Sequence, residues 1–338
     1  MPSVSILIPV YQERDFIRPC LDSVLNFLLP EDASIEVFVI DGMSTDGTRE
    51  LIADNYAGDP RIRVIDNPAR YQSPGLNKAI DLATGDYIMR LDAHSHYPRN
   101  YLLMCLDTAI RSDADNTGGI VTTQKRGTTY QAALVQALIT HRFGVGNSGF
   151  RTDAPEGPAD TVPYGFFKRS IFDKVGKFDE RLIRAQDYEM NRRIIHKGGS
   201  IWRNPRIDIA YYPQPDFKSF IRKQMLLEAP YNAYMWNVAP YSFAPRHAIT
   251  AVFASGVIGG LLLSPFFPLV RKVFLAVMAL YFVLAIISAI QQAVRYREPR
   301  HILFLPLSFF LYHFLHGLGV IGGLLKLGAG TAPVQKSA

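Results

Sequence analysis

Apolar residues fall in two regimes along this chain. Up to about residue 200 they come in short runs. Residues 4–10 (Val-Ser-Ile-Leu-Ile-Pro-Val) and 35–40 (Ile-Glu-Val-Phe-Val-Ile) read as buried strands, with shorter ones at 62–65 and 87–91. Between them, residues 14–29, 46–56 and 73–83 carry apolar positions at helical spacing, the second segment opened by Asp46 as a cap. This alternation predicts an α/β domain with a mainly parallel sheet and helices on both faces. In such sheets ligands bind beyond the carboxyl ends of the strands, where Asp41 and Asp92 fall. Residues 117–163 are less regular. Their Pro-, Asp- and Gly-rich part, 152–163, is expected as a mobile loop over the site. Residues 170–175 and 188–196 read as helices.

Beyond residue 240 the pattern changes. Three apolar stretches, 248–270, 273–294 and 302–325, are each long enough to span a hydrocarbon core of about 30 Å. Within 248–294 the only ionised side chains are Arg271 and Lys272, and 302–325 has none. Pro265 and Pro268 interrupt the first stretch, so a re-entrant or kinked path is open there. Residues 216–229 place Phe217, Phe220, Ile221 and Met225 on one helical face, as in a helix lying on a membrane surface, with the interfacial segment extending to about 240. The division expected is 1–230 for the α/β domain and 248–328 for a membrane domain of three helices. Met1-Pro2-Ser3 runs straight into the first strand without a signal-peptide pattern, which puts the α/β domain on the cytoplasmic side. The basic loop 295–300 agrees with that orientation, and three full spans would leave the C-terminus outside.

The net charge of +6 and pI of about 9.2 suit anionic lipid or phosphorylated ligands. No nucleic-acid-binding signature appears. Cys20 and Cys105 lack metal-type spacing and sit in apolar helical patterns, so they read as buried free thiols in a reducing compartment.

Three clusters carry candidate chemistry. Asp41, at the end of the 35–40 strand, is suited to accept a hydrogen bond from a base N–H, or to cap the next helix. Asp92 and His94, separated by Ala93 just past a buried strand, form a pair able to hold a divalent ion that bridges to a diphosphate. The imidazole favours Mn²⁺ over Mg²⁺. Asp187 and Glu189 share the first turn of a helix, where one carboxylate could serve as a general base and the other be structural. Residues 39–48, a strand end with a Gly/Ser/Asp turn, do not form the dinucleotide Gly-x-Gly-x-x-Gly pattern and are not read as one.

Taken in order, Ile8-Pro9-Val10-Tyr11-Gln12-Glu13, residues 39–48, Gly75-Leu76-Asn77-Lys78-Ala79 and Arg90-Leu91-Asp92-Ala93-His94 resemble the family-2 inverting glycosyltransferases with the GT-A fold, over residues 3–230. The Arg-Leu-Asp-Ala-His form and the apolar tail look most like ExoA-type transferases of exopolysaccharide assembly. The resemblance implies that Pro9, Val10, Tyr11 and Glu13 contact the nucleoside and that Asp41 binds the uracil edge. It implies that Asn77 and Lys78 lie near the donor, together with Arg90, Ala93 and Gly165. Asp92 and His94 would hold the metal, Asp92 also reaching the donor ribose, and Asp187 would be the catalytic base. Gly165 with Arg169 matches a glycine-to-arginine segment of the family. Three departures stand out. His94 replaces an aspartate, Gln186 replaces the glutamate before the base, and no Gln-x-x-Arg-Trp motif follows. Processive synthases carry that motif.

The implied activity is inverting, non-processive, metal-dependent transfer of a hexose, glucose from UDP-glucose in β-linkage, to a polyprenyl-diphosphate-linked saccharide at a bacterial plasma membrane. Three alternatives bear on other outcomes: a polyprenyl-phosphate sugar synthase, a nucleotidylyltransferase, and a membrane transport or scaffold protein with a degenerate nucleotide-binding domain.

Overall fold

The computed structural model describes residues 2–151 and 154–334. The chain forms two compact units, one of Met1–Thr122 with Asp153–Tyr211 and one of Thr123–Thr152 with Tyr212–Ala338. The boundary is therefore not the single cut at 230 that composition suggested. The chain leaves the α/β unit at 123, contributes a segment to the helical unit, and returns.

The α/β unit opens with β1 (Ser3–Val10), α1 (Arg14–Leu25), β2 (Ser34–Asp41), α2 (Thr48–Tyr56), β3 (Ile62–Asp66), α3 (Gln72–Leu82), β4 (Tyr87–Arg90), α4 (Tyr101–Ser112) and β5 (Asn116–Thr123). Helices α5 (Tyr130–Ile139) and α6 (Arg142–Val145) belong to the helical unit. Strands β6 (Gly157–Pro158) and β7 (Phe166–Lys168), helices α7 (Ser170–Val175) and α8 (Gln186–His196), and β8 (Ile201–Tyr211) complete the first unit. The eight strands form one sheet in the order β3-β2-β1-β4-β7-β5-β8-β6. The β3-β2-β1-β4 half is parallel, as its alternation with helices requires. Strand β7 runs antiparallel to both β4 and β5, so the sheet is mixed.

Successive side chains of a strand point to opposite faces, and here both are covered. Leu7, Phe38, Ile40, Ile65 and Ile88 pack with Leu76 of α3, Ile171 and Val175 of α7, and Met190 and Ile194 of α8. Each such burial stabilises the unit by roughly 1.5–3 kcal/mol before chain entropy is counted. Cys20 and Cys105 are free and buried, and burial pushes the Cys20 thiol up to about 12, which leaves it inert.

Several expectations change. Helix α2 begins at Thr48 rather than at 46, because Gly47 turns the chain at φ +93°; Asp46 still accepts the Thr48 amide at 3.1 Å. Residues 117–163 are far from irregular, holding β5, α5, α6 and β6. Residues 152 and 153 of the expected loop lie outside the described residues. The rest of that segment contains an edge strand, and Thr161 and Val162 are buried, so it is laced to the sheet. Strand β8, with Pro205 in its middle, had no strand-like pattern in the sequence, yet it lies between β5 and β6. Gly118 and Gly119 permit close packing here. A β-carbon at Gly119 would lie on the Ile207 carbonyl oxygen, and one at Gly118 would press on Val162.

The helical unit adds α9 (Phe217–Lys223), a π turn at Gln224–Glu228, α10 (Ala229–Val238), α11 (Pro245–Leu263), α12 (Pro268–Tyr296) and α13 (Arg300–Gly328). The last three are long and apolar enough to cross a membrane. Pro265 falls between α11 and α12, and Pro268 sits in the first turn of α12. The prolines separate two helices, so the expected 248–270 stretch ends at Leu263 instead of kinking. The face expected to lie on a membrane is divided. Phe220 is buried, its ring 5.6 Å from that of Tyr312 on α13, while Phe217, Ile221 and Met225 are only half-buried. Gly319 and Gly323 of α13 lie against Ala229, Pro230 and Ala233, and the small residues let α10 approach closely.

Replacing Gly119 by Ala should therefore destabilise the α/β unit by about 1–3 kcal/mol. A lowered thermal midpoint, with Gly58→Ala as the control at a glycine of ordinary backbone whose β-carbon would meet nothing, is the expected result.

Candidate active site

Parallel pairing brings the carboxyl ends of four strands to one edge. Val10 pairs with Asp41, Asp41 with Asp66, and Leu7 with Arg90. The chain beyond each strand therefore opens at the same place, where a ligand meets loop backbone and strand-end side chains.

On the β1–β2 side the loops are stitched together. Gln12 takes a left-handed backbone, φ +58°. Its side-chain carbonyl accepts the amides of Thr45 and Asp46 at 2.9 and 3.1 Å, and its own amide N–H donates to Ser44 Oγ at 3.0 Å. The Val10 carbonyl accepts from Gly42 N–H at 2.8 Å. Asp41 is fully buried; it accepts from the Ser44 amide at 3.2 Å and from Arg49 Nη1 at 2.8 Å, while Arg49 Nη2 reaches Asp66 at 2.7 Å. The arginine offsets the cost of the buried carboxylate. Pro9 closes the strand, and Tyr11 presents a half-exposed ring with the Arg70 guanidinium 5.9 Å from its centroid. That open aromatic face is the feature of this corner suited to a flat base.

The β4 end holds a charged centre. Arg90 is buried. Its Nη2 donates to Asp92 Oδ1 at 2.6 Å and to Gln72 Oε1 at 3.1 Å, and its guanidinium lies 5.7 Å from the Tyr164 ring centroid. Burial opposes its charge, but Asp92 and then Asp187 outweigh that and hold it more firmly protonated than an ordinary arginine. Tyr97 fixes the Asp92 backbone, its hydroxyl accepting the Asp92 amide at 2.8 Å. His94 is more exposed, with Nδ1 3.1 Å from Glu13 Oε1; that hydrogen bond raises the imidazole above its ordinary pKa. A carboxylate on Nδ1 orients the ring and directs Nε2 to other ligands, the usual arrangement behind a metal-binding histidine. Among the described residues no group of three or more His, Cys, Asp or Glu side chains could hold a metal ion. Asp92 and His94 therefore do not form a closed structural cage.

The Asp187/Glu189 alternative is resolved by packing. Glu189 is fully buried and paired to Arg193 at 2.7 Å; Arg193 also donates to the Val175 and Lys177 carbonyls. Glu189 therefore ties α8 to the end of α7. Asp187 is only partly buried, and its Oδ1 accepts the Tyr188 amide at 2.8 Å. It is the carboxylate of the pair able to meet a substrate.

Other expected residues do different work. Asn77 is buried. Its Nδ2 donates to the Phe178 carbonyl at 2.9 Å and to Glu180 at 2.8 Å, and its Oδ1 accepts the Phe178 amide at 2.9 Å. The amide is taken up in fastening α3 to the turn after α7. Lys78 is exposed and donates to the Asp66 carbonyl at 3.1 Å. Ala93 is buried. Gly165, at φ +91°, accepts the Arg90 amide at 3.1 Å; a β-carbon there would strike the Phe167 ring, so the glycine sets the turn that lays Tyr164 beside Arg90. Arg169 donates its backbone amide to Asp86, before the start of β4 and at the opposite end from Asp92. Antiparallel pairing of β7 carries it away from the edge. Gln12, Arg49, Gln72, Tyr97 and Tyr164 had no role assigned from sequence. Only Gln12 lay inside a motif; the others are joined to the site by long-range contacts that spacing does not encode.

An open α/β sheet with acidic strand ends is the architecture of GT-A glycosyltransferases. The solved mannosyltransferase PcManGT from Pyrobaculum calidifontis, in complex with GDP-Man and Mn²⁺, shares this fold with a TM-score of 0.64 and 17% identity, over 96% of this chain and 87% of that one. A model of glycosyl transferase family 2 matches residues 5–176, and the chain belongs to that family and is a glycosyltransferase. The succinoglycan biosynthesis protein ExoA of Rhizobium meliloti (strain 1021) is 34% identical over 212 residues, 62% of this chain and 63% of that protein, so the match leaves more than a third of that relative uncovered. A dolichyl N-acetyl-α-D-glucosaminyl phosphate 3-β-D-2,3-diacetamido-2,3-dideoxy-β-D-glucuronosyltransferase of Methanococcus voltae is 27% identical over 96% of this chain and 98% of its own length.

Glu189→Ala leaves Arg193 buried without its carboxylate and should cost about 3–5 kcal/mol. The expected signature is a lowered thermal midpoint.

Proposed function

We propose that the enzyme transfers a single hexose from UDP-hexose, glucose in the first instance, with inversion, to a polyprenyl-diphosphate-linked saccharide in exopolysaccharide assembly. One observation carries the reading: Asp187 is a partly open carboxylate whose charge acts on the same buried Arg90 that holds Asp92. A proton acceptor and a diphosphate-binding carboxylate in one electrostatic neighbourhood suit attack by a hydroxyl on an anomeric carbon. The likeness to ExoA supports the exopolysaccharide context. The full-length relative, whose name gives it a dolichyl-phosphate-linked acceptor, supports a lipid-borne one. The three apolar helices support a multi-pass membrane anchor, and the basic loop 295–300 supports a cytoplasmic α/β unit.

Tyr11 stacks on the nucleoside and Asp41 faces the uracil edge, while Glu13 orients His94. Asp187 takes the proton from the acceptor hydroxyl as its oxygen attacks from the face opposite the diphosphate, so an α-linked donor gives a β-linked product. Positioning of the two substrates contributes most, with the base adding roughly 10²- to 10⁴-fold. Asp92 and His94 would hold a divalent ion, Mn²⁺ before Mg²⁺, which when bound neutralises charge on the departing diphosphate.

A panel of UDP-sugars assayed for transfer into membrane lipid extracts tests the reading, with UDP-glucose expected to lead. Asp187→Asn should abolish transfer to saccharide acceptors while UDP affinity stays within a factor of about three, since the base acts only in the transition state. Wild-type transfer by that variant would remove Asp187 from the role, and activity kept only on lipid phosphate would point to a polyprenyl-phosphate sugar synthase. His94→Ala should weaken Mn²⁺-dependent UDP binding, read by titration calorimetry, by about 10- to 100-fold. Unchanged Mn²⁺ dependence would exclude the imidazole as a ligand.

A further inference from the structure

Gln72 is the first residue of α3, and its side-chain carbonyl meets two donors at once. Arg90 Nη2 lies at 3.1 Å and Gln186 Nε2 at 2.8 Å. An amide oxygen has two lone pairs, and both are engaged. Arg90 and Gln186 are each only 7% exposed, so loss of this acceptor would strand buried donors.

The second observation concerns the start of α8. Gln186 is its first residue and Asp187 its second. The residue before them, Ala185, has a left-handed backbone at φ +62°, and no side chain caps the helix there. A non-glycine residue in that region is strained and persists only where surrounding contacts hold it. The Gln186–Gln72 hydrogen bond is such a contact, made by the side chain next to Asp187 and reaching a group that also grips Arg90. Asp92, on the other side of Arg90, completes a continuous path: Asp92, Arg90, Gln72, Gln186, then the backbone of Asp187.

We propose that Gln72 is a positioning residue that holds the first turn of α8 in register with the Arg90–Asp92 pair, and so sets where the Asp187 carboxylate stands relative to the diphosphate-binding end of the site. The proposal rests on the reading of Asp187 as the base. Gln72 touches neither substrate nor reacting atoms in this role. It acts through Gln186 on one side and Arg90 on the other. Glutamine suits the position because its carbonyl accepts from both donors. Glutamine at 186 suits it as well, since a carboxylate could not donate to the Gln72 oxygen.

The test measures transfer kinetics with the UDP-sugar selected from the panel, and binding of UDP with Mn²⁺ by calorimetry, on the full-length enzyme. Gln72→Ala is expected to lower kcat by about 100-fold through a misplaced base. The donor KM and the UDP affinity should stay within a factor of about three, because the nucleoside corner is untouched. Gln72→Glu keeps an acceptor for both donors and should recover most of the lost kcat. Gln186→Ala should produce the same loss as Gln72→Ala, and the double variant no more than either alone.

Losses that multiply in the double variant, a parallel fall in UDP affinity, or a Gln72→Glu enzyme that regains its thermal midpoint but not its kcat would each overturn the proposal. The two readings fail separately. Full activity of Asp187→Asn removes the base, whereas an inactive Asp187→Asn alongside independent Gln72 and Gln186 losses removes only the tie.

Discussion

A guanidinium buried at the end of a central strand must be paired, and the pairing of Arg90 organises the edge of the sheet. Its partners come from four places in the chain. Asp92 lies two residues past the end of β4, Gln72 opens α3, Tyr164 precedes β7, and Asp187 lies in the first turn of α8. An unpaired buried charge would cost several kcal/mol, so these segments are constrained together or not at all. The backbone shares the duty, because the Arg90 amide donates to the Gly165 carbonyl in the turn that positions Tyr164. One residue thereby connects the parallel half of the sheet to its antiparallel half.

The same logic separates functional from structural carboxylates. Asp41 and Glu189 are both fully buried, and each is matched by an arginine from its own neighbourhood, Arg49 and Arg193. Glu189 fastens one helix to another. Asp41 differs in its setting, at a strand end beside the open Tyr11 ring. Asp187 and His94 are the less buried members of their pairs, Asp187 accepting the Tyr188 amide and His94 bonded to Glu13. Partial exposure with a fixed orientation is what a group needs to meet a substrate without searching for it.

The helical unit follows a different rule. Its contacts are made by small residues and rings: Gly319 and Gly323 against Ala229 and Ala233, and Phe220 against Tyr312. Apolar side chains on the outward faces of α11 and α12 remain exposed, as expected of helices whose solvent is hydrocarbon. The segment 123–152 joins this unit although it lies between strands of the other. The two units are therefore interleaved in sequence.

Much of the fold was legible in the residues themselves. Continuous apolar runs at 4–10 and 35–40, separated by helical periodicity, are enough to demand a parallel sheet, because hairpin-length connections are absent and both faces must be covered. Register then follows, and with it the placement of Asp41, Asp66 and Arg90 on one edge. The tail was legible for a similar reason: runs of more than twenty uncharged residues admit few structures. Local pattern could not reveal β8, whose Pro205 and polar residues hide its alternation, or the meaning of Gly119, which depends on a strand some ninety residues later. Nor could it separate Asp187 from Glu189, since both are acidic residues in one helical turn and only Arg193 distinguishes them. Nor could it show that the Asn77 amide is engaged by Phe178 and Glu180, about a hundred residues away. Hydrophobic period and chain length fix elements and their order, because those depend on neighbours in sequence. The role of a polar side chain depends on which donor or charge the fold brings to it from far along the chain, as Gln72 and Gln186, 114 residues apart, illustrate.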